Sequence, residues 1–278
     1  MSRQNRHKRD SSGYQIPMGE TNHLIIGHRR PDFSYPEPWR FVTDHPHRND
    51  DFQVPPGTSD RNLPDDSVIG EYHHLFKVAD FLSSSNPSSQ IRIAQYRRLV
   101  VNKPIGTPST NQPWTRIVSP SGADALSLNE LTEPDSSGFL LSSVLPVHSI
   151  IRDFGASHPS RDLFRFLADC VDAGLLTSKQ LTEIAEFNAL IPAPSNGTFP
   201  TEFFIRSMAL LRRAAVAFCQ SGYSPSTGYD QRCVAFCLER LNSCLIFIEL
   251  ARLNIDFREV VGHQVTISET AAVSLTGR

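Results

Sequence analysis

The sequence predicts an α/β protein with a helical C-terminal part. Short apolar runs in the first half are typical of buried strands, and a helical stripe of apolar residues lies between two of them. The second half holds two long, strongly apolar helix candidates. The chain has 278 residues, of which 39% are hydrophobic. It is therefore long and apolar enough to bury a core, in one large domain or two small ones.

The first elements are a strand, a loop and a helix. Residues 1–20 have little to bury and are expected to be a flexible leader, and a short apolar run predicts a strand at 23–28. Three prolines that follow exclude regular strand pairing, and residues 44–66, rich in Asp, Asn, Pro and Gly, predict a long surface loop. The spacing of apolar residues then predicts a helix from Ser67 to Leu82.

The middle of the chain adds further strand candidates. A strand is expected at 91–94, running directly into residues 95–101. The segment around Trp114 is rich in Pro, Ser, Thr and Asn and is expected to be a loop. Residues 138–145 form another strand candidate, which Pro146 ends.

The second half is expected to be mostly helical. Its helices are predicted at residues 161–173, 178–188, 203–220 and 231–253. Ser160 is placed to cap the first of them, and Thr177 with Gln180 forms a capping-box pattern before the second. A short final strand is expected at 265–267.

Composition excludes several classes of protein. The formal net charge is -2, from 27 basic and 29 acidic residues, so the chain lacks the broad basic field of a nucleic-acid binder. The longest apolar stretches, such as Cys244 to Ile248, are far shorter than the roughly 18 residues of a membrane-spanning helix. Residues 1–10 are too polar for a secretory signal. Five cysteines lack a secreted pattern, and Cys233, Cys237 and Cys244 fit one buried helical face better than a metal site. The expected compartment is a reducing cytoplasm.

Two clusters with paired arginines follow predicted strands. Only four of the 27 basic residues are lysines, so arginine dominates. The clusters are His28-Arg29-Arg30 and Gln95-Tyr96-Arg97-Arg98. Ligands collect at the carboxyl ends of strands in open α/β sheets, and the arginine fork fits phosphate oxygens. The clusters therefore suggest an anionic ligand such as a diphosphate, and pairing with local carboxylates or exposure to solvent stays the alternative.

Glu71 opens the first predicted helix on its core side. Its carboxylate could accept an arginine, hydrogen-bond a sugar hydroxyl, or simply favour the helix N-terminus. Common catalytic signatures are missing: the chain has no glycine-rich dinucleotide motif, Walker loop, Gly-x-Ser-x-Gly elbow or His-Glu-x-x-His pattern. It also has no Asp-x-Asp motif. No metal site is therefore predicted, although a divalent metal stays compatible with the sequence.

Several of these residues resemble motifs of a bacterial domain-of-unknown-function family that is regarded as glycosyltransferase-like and often linked to capsule or surface-polysaccharide genes. Residues 24–31 are similar to its His-Lys-Pro turn, 95–99 to its His-Tyr-Arg-Arg-Tyr signature, and 235–241 to its Gly-Tyr-x-x-Glu-Arg-Leu helix. Further matches are Asn62 and Glu71, Leu145-Pro146, His158 and Asp162, and Asn196 with Phe203-Phe204-Ile205. The order agrees over residues 23–253, with Gln95 in place of the family His and Arg29 in place of its Lys.

The resemblance implies a GT-A-like fold, in which a mixed sheet with helices on both faces binds a nucleotide-diphosphosugar. It implies a single domain over residues 21–270, followed by a tail at 271–278. The activity would be transfer of a sugar from a nucleotide-sugar substrate to a glycan or other hydroxyl acceptor, with no cofactor assigned. The residues expected on the donor side are His28, Arg29, Glu71, Gln95, Tyr96, Arg97 and Arg98.

Glu239 and Arg240 lie on a predicted helix whose other residues look buried, and a buried charge needs a partner. Two interpretations stay open: a structural ion pair with an arginine of the strand-end cluster, and a role for Glu239 as general base or acceptor ligand. Asp162 and Glu202 are weaker alternatives for that role. Four residues are expected either to contact the acceptor or to pack against residues that do: Asp162, Asn196, Glu202 and Arg240.

A second class of function stays open because Gln95 cannot titrate near neutral pH as a His can. The alternative is a catalytically inactive glycosyltransferase-like binding module. A phosphate-ester hydrolase is disfavoured, since no metal or nucleophile signature is present.

Overall fold

The computed structural model describes residues 21–27, 30–31, 33, 35–43, 52–53, 63, 66–84, 89–124, 126–223 and 232–269. In these residues the chain forms a mixed β-sheet with helices on both faces and a helical C-terminal part. The predicted fold class is therefore confirmed. The predicted leader at 1–20 and the tail at 271–278 lie outside the described residues.

The described residues contain the following elements. The strands are β1 (Thr21–Ile26), β2 (Arg40–Thr43), β3 (Phe52–Gln53), β4 (Gln90–Gln95), β5 (Arg98–Val101), β6 (Thr107–Pro108), β7 (Thr115–Val118), β8 (Leu140–Leu141), β9 (Leu145–Pro146), β10 (Ala189–Leu190), β11 (Gly197–Pro200) and β12 (His263–Ile267). The helices are α1 (Asp66–Ile69), α2 (Tyr72–Ser84), α3 (Pro120–Asp124), α4 (Leu128–Leu131), α5 (Ile150–Gly155), α6 (Ser160–Asp172), α7 (Ser178–Glu186), α8 (Thr201–Gln220), α9 (Cys233–Leu253) and α10 (Phe257–Val260).

The main path of the sheet runs in the order β3-β2-β1-β4-β5-β12-β7-β6. β1 is parallel to β2 and to β4, so that Ile26 and Gln95 lie side by side at the carboxyl ends of β1 and β4. β5 returns antiparallel after a turn at Tyr96 and Arg97. β11 pairs antiparallel with β4 and joins β8 to the sheet. The predicted final strand is confirmed as β12, which lies between β5 and β7.

Side chains of the central strands alternate between two cores, as the period of two requires. Leu24 and Ile26 of β1 face the larger core, which α2, α5, α6, α8 and α9 complete. Ile25 faces the smaller core on the opposite side of the sheet, where Ala123 of α3 and Leu128 of α4 cover it. The two layers bury β1 and β4 on both faces, which explains why these strands read as short continuous apolar runs.

The prediction of one helix from Ser67 to Leu82 is wrong, because the helix is interrupted. α1 ends at Ile69 and α2 begins at Tyr72, with a turn between them. Gly70 has φ +60°, and a Cβ there would lie 3.0 Å from a terminal nitrogen of Arg232. Glycine is the residue that accepts both conditions. Glu71 therefore lies in the junction between two helices and not in the first turn of one.

Three other local predictions need correction. The predicted loop at 44–66 contains β3, which pairs with β2, and most of its other residues lie outside the described part of the chain. Trp114 lies in a turn, as predicted, but the loop around it contains β6 and leads directly into β7, two strands of the main sheet that were not predicted. The strand predicted at 138–145 is two short strands, β8 and β9, that pair with different partners. In each case pairing with distant residues decided the structure over local composition.

The helices of the second half agree with prediction more closely. α6 begins one residue early, so that Pro159, and not Ser160, stands at its N-cap. The capping box before α7 is confirmed: the Gln180 backbone N–H donates to Thr177 Oγ1 at 3.2 Å, and the Thr177 backbone N–H donates to Gln180 Oε1 at 2.9 Å. The three cysteines of α9 are buried, as predicted. α9 begins at Cys233 and has buried side chains along its whole length.

Candidate functional site

The candidate site lies at the carboxyl ends of β1 and β4. Tyr96 follows β4, and its backbone N–H donates to the carbonyl of Ile26 at 2.9 Å. Gly27 permits this close approach, because a Cβ there would lie 2.9 Å from Tyr96 Cβ. The turn that carries Tyr96 and Arg97 is therefore fixed over the end of β1, at the sheet edge where ligands collect in open α/β folds.

Glu71 connects three separate segments at this edge. Its Oε2 accepts a hydrogen bond from Gln95 Nε2 at 2.7 Å, and its Oε1 accepts one from the Ser195 hydroxyl. Burial raises the pKa of Glu71, against the lowering effect of these two hydrogen bonds and of the positive charges of Arg98 and Arg232. The α1–α2 junction, the end of β4 and the loop before β11 are thus joined through one carboxylate, whose hydrogen-bond donors are neutral.

Arg98, the first residue of β5, forms no ion pair with the described residues. Its Nε atom is buried without a hydrogen-bond partner, and no carboxylate of the described residues lies within 4.0 Å of its guanidinium. Burial lowers the pKa of Arg98, as does the neighbouring Arg97, while Glu71 and Glu239 act in the opposite direction. An arginine stays protonated in proteins. Arg98 therefore brings to the site a charge and hydrogen-bond donors that the described residues leave unused.

Arg97 stands beside Arg98 in the same turn. Its guanidinium lies over the Tyr96 ring, 5.2 Å from the ring centre. This cation–π contact holds the arginine next to the end of β1. Of the other predicted cluster, only Arg30 belongs to the described residues, and its guanidinium lies over the Phe41 ring, 5.1 Å from the ring centre. His28 and Arg29 lie outside the described residues, and their expected roles stay predictions.

Glu239 approaches the site from α9. Its Oε2 lies 3.6 Å from Arg240 Nη1, while Arg240 Nη2 lies 2.9 Å from Asp153 Oδ2. Burial raises the pKa of Glu239 to about 7, and the charge of Glu71 adds to the shift, against the effect of Arg240. Solvent reaches a third of the Glu239 side chain (34%), which limits the size of this shift but not its direction. Glu239 is a carboxylate near neutral pKa that receives no hydrogen bond within the described residues.

Two residues of the site were missed by the sequence predictions. Ser195 donates to Glu71 across 124 positions of the chain. Arg232 lies against Gly70, with its guanidinium over the Phe236 ring at 5.8 Å, and it lowers the pKa of both Glu71 and Glu239. The only local signals are that Ser195 directly precedes a residue of a matched motif and that Arg232 precedes the apolar helix α9.

The remaining predicted residues lie at varying distances from this cluster. Asn196 follows Ser195 and is 1% exposed, and neither its amide nitrogen nor its amide oxygen has a partner in the described residues. Asp162 is buried in α6 and accepts from the Tyr223 hydroxyl at 2.5 Å. Glu202 is exposed in the first turn of α8, and no contact in the described residues joins it to the cluster.

The cluster therefore combines two kinds of group at one sheet edge. Arg97 and Arg98 present positive charge and planar donors, while Glu71 and Glu239 are carboxylates whose pKa values are raised. Such a site can bind an anion and can also exchange a proton near neutral pH. Within the described residues, no group of three or more His, Cys, Asp or Glu side chains is arranged to hold a metal ion.

A solved glycosyltransferase structure has a fold similar to that of this chain. No model of a protein family matches the chain, and no curated protein matches it. Among solved structures the chain is similar to the apo structure of WbbM, a bifunctional glycosyltransferase, with a TM-score of 0.63 and 10% sequence identity. The match covers 90% of this chain and 46% of WbbM, so the chain spans about half the length of that protein. The fold is therefore glycosyltransferase-like. None of the helices that the structure describes is both long enough and apolar enough to span a bilayer.

Proposed function

We propose that this chain is a glycosyltransferase that moves a sugar from a nucleotide-sugar to a hydroxyl acceptor, and that it is a divergent member of the family its motifs resemble. The observation that carries this proposal is Arg98: a partly buried guanidinium with no carboxylate within 4.0 Å among the described residues, at the carboxyl ends of parallel strands. A diphosphate supplies the oxygens that such a fork binds. The glycosyltransferase-like fold supports the same class of substrate.

The proposed reaction uses the two kinds of group in the cluster. As the acceptor oxygen forms its bond to the sugar carbon, the bond from that carbon to the phosphate oxygen breaks, and its electron pair leaves with the nucleoside diphosphate. Arg97 and Arg98 stabilise the negative charge that develops on this leaving group. Glu239 takes the proton of the acceptor hydroxyl, a role that suits a carboxylate with a pKa of about 7. Arg29 is proposed as a further phosphate ligand on sequence grounds.

Glu71 and Gln95 have a positioning role in this proposal. The Gln95 amide donates to Glu71 at 2.7 Å and does not titrate. The neutral donors hold the Glu71 carboxylate in one position. Its charge therefore attracts Arg98 without a direct ion pair between the two side chains. The arginine is thereby oriented and still open to a ligand.

Nucleotide binding is the first test. Thermal unfolding is measured with a panel of nucleoside diphosphates and nucleotide-sugars, since a ligand that binds only the folded state raises Tm. We expect at least one member to raise Tm and the double variant Arg97→Ala/Arg98→Ala to abolish that shift. Arg213→Ala, an exposed arginine of α8, is the control and should keep it. If no nucleotide at millimolar concentration raises Tm, or if binding survives the double variant, the donor site is assigned wrongly.

The inactive binding module is the second candidate, and Gln95 favours it, since an amide cannot transfer a proton. Release of nucleoside diphosphate from the nucleotide-sugar that binds separates the two candidates. Turnover that Glu239→Gln removes, with nucleotide affinity unchanged, supports the enzyme. Binding without turnover over a panel of glycan acceptors supports the module.

A further inference from the structure

The charge balance of the candidate site points to a second anionic group besides the diphosphate. Arg240 has two carboxylate neighbours, Asp153 at 2.9 Å and Glu239 at 3.6 Å. Glu71 receives its hydrogen bonds from neutral side chains. Arg98 and Arg232 are consequently both without a carboxylate within 4.0 Å in the described residues. A diphosphate bound at the strand ends would neutralise Arg98, but it would leave Arg232 without an anionic partner.

Arg232 is held in place by specific contacts. Its guanidinium lies over Phe236, and one terminal nitrogen lies 3.0 Å from the position that a Cβ of Gly70 would occupy. Phe236 is itself supported by a stacked His158 ring, at 4.1 Å between ring centres and an angle of 16°. An exposed arginine that already packs on an aromatic ring loses less conformational entropy when it binds an anion than an arginine without such a contact.

The position of Arg232 at the N-cap of α9 assigns it to the acceptor side. Arg232 stands at the N-cap of α9, seven residues before Glu239. Seven residues correspond to about two helical turns, so the two residues lie on the same side of α9, about 10 Å apart along its axis. Arg98 belongs to a different element, since it is the first residue of β5, directly after the β4–β5 turn. The carboxylate proposed to deprotonate the acceptor thus shares its helix face with Arg232, whereas the proposed diphosphate ligands come from the β4–β5 turn.

We infer that the acceptor is an anionic sugar, bearing a carboxylate or a phosphate group, and that Arg232 binds this group. The inference rests on the proposed function for the role of Glu239 and for the division into donor and acceptor sides. Both groups are oxyanions, planar in a carboxylate and tetrahedral in a phosphate. The arginine fork binds either of them through two parallel hydrogen bonds. A compact ammonium would supply the charge without that geometry.

Binding of matched sugars tests the inference without requiring catalysis. Affinities of the full chain are measured by saturation-transfer NMR for methyl glycosides of glucose, galactose and mannose, for their uronates, and for their 6-phosphates. We expect at least one anionic sugar to bind tenfold or more tightly than its neutral counterpart. Preference for the uronate identifies the carboxylate as the group bound, and preference for the 6-phosphate identifies the phosphate. Equal affinity within every matched set, or no binding by any of them, overturns the inference.

Variants of Arg232 assign the preference to this residue. Arg232→Ala should remove the tenfold preference, Arg232→Lys should restore a part of it, and Arg213→Ala should leave it intact. Nucleoside diphosphate affinity, measured on the same preparations, should change less than twofold in Arg232→Ala. If Arg232→Ala weakens the nucleotide as strongly as Arg98→Ala, Arg232 is a donor ligand and the inference is wrong. If the unmodified chain binds no nucleotide but still prefers anionic sugars, the proposed function is wrong, whereas the assignment of Arg232 as an anion site is retained.

Discussion

Ser195→Ala removes one of the two hydrogen bonds that hold the Glu71 carboxylate, and its effect on stability should depend on pH. Ser195 is 3% exposed, and its hydroxyl donates to Glu71 Oε1. A hydrogen bond to a charged group contributes about 1.5–3 kcal/mol, and the alanine leaves the buried oxygen without that donor. We therefore expect a loss of about 2 kcal/mol in the free energy of unfolding at pH 8, where Glu71 is most ionised.

The sign of the pH dependence follows from the direction of the pKa shift. The ordinary pKa of Glu71 is 4.5, and folding raises it. The folded protein thus binds this proton more tightly than the unfolded chain, so the stability that Glu71 contributes is complete below pH 4.5 and is lost as pH rises through the folded pKa. The Ser195 hydrogen bond lowers that folded pKa. Removing it should raise the folded pKa further, and the cost of the variant should grow from pH 4.5 upward.

A matched control donates to the loop that carries Ser195. Ser142 is fully buried and donates to the carbonyl of Pro192 at 2.7 Å, an acceptor that does not titrate. Ser142→Ala should therefore cost about 1 kcal/mol at every pH. Urea unfolding of both variants and the unmodified chain, followed by tryptophan fluorescence between pH 4.5 and 8.5, measures the differences. A cost of Ser195→Ala that is constant over this range, or larger at acid pH, would refute the description of Glu71 as a buried, titrating carboxylate.

Three further predictions concern other parts of the site. Gly70→Ala and Gly174→Ala should each cost about 1–2 kcal/mol in urea unfolding, since both glycines have positive φ. Only Gly70→Ala should weaken ligand binding, because its added Cβ would lie 3.0 Å from Arg232, whereas a Cβ at Gly174 would meet open space. If the proposed transfer takes place, Glu239→Gln should lower its rate about 10²–10⁴-fold in a steady-state assay, and kcat/KM of the unmodified chain should rise with pH through about 7. Tyr223→Phe should cost about 1–3 kcal/mol in urea unfolding by leaving Asp162 without its donor, with nucleotide affinity unchanged.

Each of these predictions has a result that contradicts it. Equal loss of ligand binding in both glycine variants would mean that backbone strain, and not the close approach at Gly70, is responsible. Full activity of Glu239→Gln would remove Glu239 from the reaction. A drop in nucleotide affinity for Tyr223→Phe would place Asp162 in the binding site, where its contacts in the described residues do not put it.

Sequence reasoning was most accurate where structure depends on neighbouring residues. The capping box at Thr177 and Gln180 is a local hydrogen-bond pattern, and the helix that it predicts is present. The strand at β1 and the long apolar helices α8 and α9 were predicted for the same reason, since their periodicity is contained in their own residues. The break at Gly70 was missed, because a single glycine in a helical pattern is compatible with continuation unless a distant group such as Arg232 occupies the space beside it.

The candidate site was predictable only in part. Gln95, Arg97 and Arg98 stand next to one another in the chain, so their position after a strand could be inferred from the sequence. The contact of Gln95 with Glu71 spans 24 positions and that of Ser195 with Glu71 spans 124. Neither contact produces a local pattern, since each depends on the parallel pairing of β1 with β4 and on the return of β11 to the same sheet.

The fold class, the main helices and a pair of arginines at the end of a strand could be predicted from local patterns, because hydrophobic periodicity and caps act over a few residues. The partners of the charged side chains, in contrast, follow from how distant segments pack together. Arg240 is neutralised by Asp153 on a different helix, whereas Arg98 and Arg232 remain without a carboxylate within 4.0 Å in the described residues. The energy of a charge depends on its distance from other charges and on its burial, and both are set by packing between segments that lie far apart in the chain.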